Sequence, residues 1–159
     1  MTNIGINGAL GTQQTRLGRW TNPGQIYHVI TATRNRYPHF SDLIAARCVV
    51  NALIRLESVG HATTLAFVVM PDHLHWLFQL GKRASMSTVV GNAKSYSAKL
   101  LNERRAIQNN TWQRGFFDRA IRREDDLVSI ARYIVANPLR AGLVERIGDY
   151  AHWDSVWMV

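Results

Sequence analysis

This chain of 159 residues is short of cysteine, of acid and of long apolar runs, and each shortage removes a class of protein. Cys48 is the only cysteine, which excludes an internal disulfide framework and suits a reducing cytoplasm. No apolar stretch approaches the roughly 20 residues that a bilayer-spanning helix requires. The longest clean one runs only from Leu65 to Met70. The N-terminus lacks the charged start and apolar core of a secretory signal, so the expectation is a cytoplasmic protein with no membrane partner. No repeat and no second domain is visible, and 47% hydrophobic residues suffice for one compact core.

The acid shortage is local. Eleven Asp and Glu face nineteen Lys and Arg, for a net charge of +8. Residues 82–123 hold ten of the basic side chains against only Glu103 and Asp118, leaving nine of each sign elsewhere. Solubility alone does not require such clustering. A one-sided basic block is the electrostatic footprint of a polyanion binder, because each neutralised phosphate releases counterions.

Residues 1–24 are rich in Gly, Asn, Thr and Gln without apolar periodicity and read as a flexible arm; residues 25–159 read as one domain. Gln25 to Thr33 is a first strand by its β-branched and aromatic content, and Arg34 to Phe40 a loop. Ser41 and Asp42 cap a helix to about Ser58, with Leu43, Ala46, Val50 and Leu53 on its inner face. Thr63 to Met70 and His73 to Leu80 form a hairpin around Pro71-Asp72. A long helix follows from about Ser85 to Arg105, with Val89, Ala93, Tyr96 and Leu100 on one face. Thr111 to Ile121 suggests a fourth strand. The acidic run Glu124-Asp125-Asp126 suits the positive end of a last helix reaching Asn137, where Pro138 stops it. Trp153 and Trp157 of the tail are expected to pack back on the body. The order βαββαβα predicts an α+β, ferredoxin-like domain: a four-stranded antiparallel sheet with helices on one face and the active site on the other, open face.

The chemistry centres on Met70-Pro71-Asp72-His73-Leu74-His75-Trp76-Leu77-Phe78. Strand side chains alternate, so His73 and His75 share a face with Leu77 and Gln79, while Leu74, Trp76, Phe78 and Leu80 face the helices. Two imidazoles on one face are half of a metal site; a third ligand and open positions must come from elsewhere. Asn137, four residues after Tyr133 and on the same helix face, offers a carbonyl oxygen to a hard cation. Tyr133 is a candidate nucleophile, although its helix position also suits a residue flanking the core stripe Leu127, Ile130, Ala131 and Ile134. Tyr96 is the rival, in Lys94-Ser95-Tyr96-Ser97-Ala98-Lys99, but its register puts it on a core stripe. Tyr27, Tyr37 and Tyr150 lie in a strand, a loop and the tail.

His73-Leu74-His75 after Met-Pro-Asp resembles the His-hydrophobic-His motif of the single-tyrosine, IS200-like transposases. Trp112-Gln113-Arg114-Gly115-Phe116-Phe117-Asp118, then Tyr133-Ile-Val-Ala-Asn137-Pro138-Leu-Arg-Ala-Gly142-Leu-Val144, then Asp149-Tyr150-Ala-His-Trp153-Asp-Ser155 resemble the REP-associated tyrosine transposases of that family. The similarity runs from about Gln25 to Ser155. It implies a metal-dependent enzyme that cuts and rejoins single-stranded DNA beside short, REP-like hairpins. On that resemblance His73 and His75 match the metal pair, Asn137 a position usually Gln in mobile relatives, and Tyr133 the nucleophile that forms a 5′-phosphotyrosine. The implied cation is Mg2+ or Mn2+. Arg114, Arg119, Arg122 and Arg123, with Lys94, Arg34 and Arg36, are the expected DNA contacts, and Trp112, Phe116 and Phe117 either stack on bases or belong to the core. The chain is expected as monomer or homodimer, with a lean to a tyrosine acting in cis. Two alternatives keep the fold: a hairpin-binding module without strand transfer, and a metal nuclease using water.

Overall fold

The computed structural model describes residues 22–158, so most of the arm read over 1–24 lies outside the described residues. Four strands meet the expectation: β1 (Ile26–Ala32), β2 (Ala62–Met70), β3 (His73–Leu80) and β4 (Phe117–Ala120). A fifth, β5 (Trp153–Ser155), extends the sheet to the antiparallel order β4-β1-β3-β2-β5. The first four keep the ferredoxin-like order, in which β3 is inserted between β1 and β2. The extra strand forms because Trp153 to Ser155 pairs with Val68 to Ala66 along the otherwise bare edge of β2.

The helices are α1 (Leu43–Ser58), α2 (Met86–Arg105), α3 (Leu127–Val135) and the single turn α4 (Asn137–Arg140). Each of the first three starts at a side-chain cap: Asp42 accepts from the Ala45 N–H, Ser85 from Thr88, and Asp126 from Val128 and Ser129. None of these helices is long and apolar enough to cross a membrane. α1 and α2 cover the face of Leu74, Trp76, Phe78 and Leu80, as expected, and the core there includes Val49, Leu53, Val89 and Leu101.

Five expectations need correction. The histidine face is not open: α3 lies on it, burying Ala131 and Ile134 against Ala66, Val68, Met70 and Leu77 in a second core. The apolar stripe of α3 required a partner, and this face of the sheet is it. The fourth strand is shorter than 111–121. Gly115 turns to φ +74, leaving Trp112 as an isolated bridge to Thr33 before β4 begins. Pro138 does not end helical structure; it sits in the first turn of α4, where its missing N–H is tolerated. Leu43 is exposed, and the buried stripe of α2 runs through Val90 and Ser97 rather than Tyr96, which is half-buried under the Arg55 guanidinium.

Trp76 is 1% exposed, stacks on Phe78 at 4.0 Å and donates its Nε1–H to Thr64 Oγ1 at 3.1 Å. Truncation leaves a cavity at the centre of the larger core, so Trp76→Ala should cost about 3–5 kcal/mol of unfolding free energy, measured by urea denaturation.

Candidate active site

His73 and His75 point to the α3 side of β3 and are buried, at 6% and 3% exposure. Their rings meet edge to face, with centroids 5.0 Å apart. Each ring is held through Nδ1. His73 Nδ1 lies 2.7 Å from Asp72 Oδ1, so its proton is donated to the carboxylate. Arg36 pairs with the other carboxylate oxygen of Asp72 at 3.1 Å. His75 Nδ1 lies 3.1 Å from His28 Nε2, with the two rings stacked. Both Nε2 atoms are buried with no hydrogen-bond partner among the described residues. A buried polar atom without a partner is costly, and here two such atoms belong to neighbouring rings on one face.

Electrostatics keep His28 and His75 neutral. Burial, then the charge of Arg119, lowers the His28 pKa to about 4. Burial pushes His75 well below the usual histidine range, with His28, His73, Arg140 and Arg36 adding in the same direction. A neutral His75 with Nδ1 engaged and Nε2 without a partner among the described residues is in a state that suits a metal ligand. Asp72 is held below the usual carboxylate range, chiefly by its bond to His73. Among the described residues no group of three or more His, Cys, Asp or Glu is arranged for a metal, so a third protein ligand beside the two histidines would have to be of another type.

Asn137 is such a residue. Its amide nitrogen donates to the Ile134 carbonyl at 2.8 Å, which leaves Oδ1 as the atom available to a cation. Tyr133 is 42% exposed on α3, the helix that packs on the histidine face. Tyr96 belongs to α2, on the opposite side of the sheet.

The basic candidates divide. Arg119 stands across from His28 in the β1–β4 register and pairs with Asp125 at 3.2 Å. Arg34, Arg114, Arg122 and Arg123 are exposed. Lys94 is different: it donates to the carbonyls of Gln113 (2.7 Å) and Gly115 (3.0 Å), and burial lowers its pKa to about 8. It braces the loop before β4 from the α2 side. Arg36 is engaged with Asp72, presented by a turn in which Asn35 and Arg36 both take positive φ. Of the aromatics, Phe116 is core and Trp112 donates to Ser97 Oγ and packs on Phe40, while Phe117 is half-buried on the histidine side.

Sequence reasoning missed His28 and Arg140. His28 had a signal, as the one histidine in Ile26–Ala32. Arg140 had none beyond its place in Asn137-Pro138-Leu139-Arg140.

Residues 22–137 match the model of a family described as "Transposase IS200 like". A Haemophilus influenzae protein named as a REP-associated tyrosine transposase is 28% identical over 99 residues, 56% of each chain, so the match spans about half of that relative's length. A REP-associated tyrosine transposase solved bound to a REP hairpin superposes with a TM-score of 0.70 at 23% identity, over 86% of this chain and 79% of its own. A structure described as a transposase of Deinococcus radiodurans gives 0.54 at 23% identity, over 74% and 93%. At these identities the two structures establish the fold.

The buried neutral imidazoles make stability depend on pH. The unfolded chain protonates His28 near pH 6.5, whereas the folded chain does so only near 4. Stability is therefore greatest above about pH 6.5 and falls between there and 4, by about 3 kcal/mol for His28 alone. His28→Gln should flatten the slope of unfolding free energy against pH in that window, measured by urea titrations at pH 7, 5.5 and 4.5.

Proposed function

The chain belongs to the IS200-like transposase family, and from that premise we propose that it cleaves and rejoins single-stranded DNA carrying REP-like hairpins, with Tyr133 as nucleophile. The observation that carries this reading is one face of the sheet. Two buried imidazoles turn partnerless Nε2 atoms to the same side, within reach of the charges of Arg36 and Arg140, and the helix covering that face leaves a tyrosine exposed.

Tyr133 Oη attacks phosphorus, the P–O3′ bond breaks, and the 5′ phosphate remains on the tyrosine. The phenol loses its proton and the departing 3′ oxygen gains one, so a free 3′-OH results. A 3′-OH attacking the phosphotyrosine reverses the step and rejoins a strand. His73 Nε2, His75 Nε2 and Asn137 Oδ1 would hold Mg2+ or Mn2+, imidazole suiting Mn2+ better. A cation bound there polarises a phosphate oxygen and stabilises charge in the transition state. Asp72, accepting from His73 Nδ1, holds that ring with Nε2 free of a proton, and His28 Nε2 engages Nδ1 of His75. Arg34, Arg114, Arg119, Arg122 and Arg123 would contact phosphates, and Phe117 would stack on an unpaired base. The packing of α3 on its own sheet supports a tyrosine acting in cis within a monomer.

Incubation with single-stranded hairpin DNA and Mn2+ should give a denaturant-resistant covalent adduct that Tyr133→Phe abolishes. No adduct from the wild type leaves a hairpin-binding module; cleavage that survives in Tyr133→Phe without an adduct indicates hydrolysis by water. Mixing His73→Ala with Tyr133→Phe should not restore the adduct, whereas a tyrosine acting in trans would restore it. Asp72→Asn should weaken Mn2+ binding about 10–100-fold, measured by calorimetry without DNA.

A further inference from the structure

The bend between α3 and α4 carries a feature that its folding does not demand. Pro138 has no N–H, so the Ile134 carbonyl lacks the donor that a continuing helix would place four residues on, and the Asn137 amide takes that place at 2.8 Å. The neighbouring carbonyl of Tyr133 accepts from Arg140 Nη2 at 2.6 Å. The same guanidinium lies over the Tyr133 ring, its central carbon 3.8 Å from the ring centroid. A helix cap needs only the hydrogen bond. Covering the ring as well engages a planar cation with the face of an exposed phenol, an arrangement for which arginine is suited and lysine is not. Arg140 is also close enough for its charge to act on His75.

We propose that Arg140 is the positioning residue of the nucleophile: anchored on the Tyr133 carbonyl and stacked on its ring, it holds the phenol in one orientation on the histidine face of the sheet. The inference rests on Tyr133 being the nucleophile. An exposed tyrosine on a helix otherwise samples several rotamers, and each attack would wait for the productive one. The clamp removes that search, and because both of its contacts are made within residues 133–140 it is in place before DNA arrives.

Two readouts test it in the full chain. Without DNA, acetylation of Tyr133 by N-acetylimidazole, followed by mass spectrometry, reports how far the ring is restrained. Arg140→Ala and Arg140→Gln should both be modified several-fold faster than wild type, the glutamine keeping a donor for the carbonyl but no cover for the ring. With hairpin DNA and Mn2+, the single-turnover rate of adduct formation should fall about tenfold or more in both variants and in Arg140→Lys. Hairpin affinity should stay within about threefold, since Arg140 is engaged with Tyr133 and the proposed phosphate contacts are other arginines. Equal acetylation in wild type and both variants overturns the clamp. A wild-type adduct rate in Arg140→Gln, or full rescue by Arg140→Lys, overturns it too, the latter by showing that charge alone is used. A wild type that forms no adduct overturns the strand-transfer reading instead, and acetylation then still decides whether the clamp exists.

Discussion

Strand β3 is covered on both faces, and the rest of the molecule follows from how its side chains meet that condition. Leu74, Trp76, Phe78 and Leu80 satisfy one face by burial under α1 and α2. On the other, only Leu77 is apolar enough to join the second core, and the two histidines bring four ring nitrogens into a buried place. Neutral imidazole can be buried if its nitrogens find partners. Asp72 and His28 supply two, from the hairpin turn and from the neighbouring strand. The remaining two have no partner among the described residues, and it is there that the proposed cation would bind.

The cover over this face does two jobs with one short helix. α3 is nine residues long, and Ala131 and Ile134 are fully buried in its inner stripe. Small Ala131 lets the helix approach β2, while Tyr133, off the stripe, remains exposed. The turn that follows is held by side chains rather than by the regular ladder, because Pro138 withholds a donor. Asn137 and Arg140 take up the two carbonyls at the helix end, and both are thereby fixed on the side of the molecule that carries the tyrosine.

Much of this was readable from local pattern. Period-two alternation placed His73 and His75 on one face and Trp76 on the other. The Asp42 cap, the helix start near Ser85 and the hairpin at Pro71-Asp72 rest on local residue types and came out where expected. What escaped depends on contacts between segments far apart in the chain. His28 bonds a residue 47 positions away, and no local rule pairs them. Lys94 looked like one more member of a basic block, yet its ammonium is spent on two carbonyls across the loop before β4. β5 is three residues long, too short for a periodic signal, and exists because β2 had an edge to fill.

By itself, then, the sequence determined the element order, the faces of the strands, the spacing of Tyr133 and Asn137, and the concentration of positive charge, since all of these follow from residue type and position along the chain. Only the tertiary structure decided that the histidine face is roofed by α3 rather than open, which Nδ1 atoms are satisfied and which Nε2 atoms are not, and that Arg140 lies on the tyrosine. The reason is physical. Burial and hydrogen-bond partnership are properties of packed neighbours, and those neighbours are chosen when helix meets sheet.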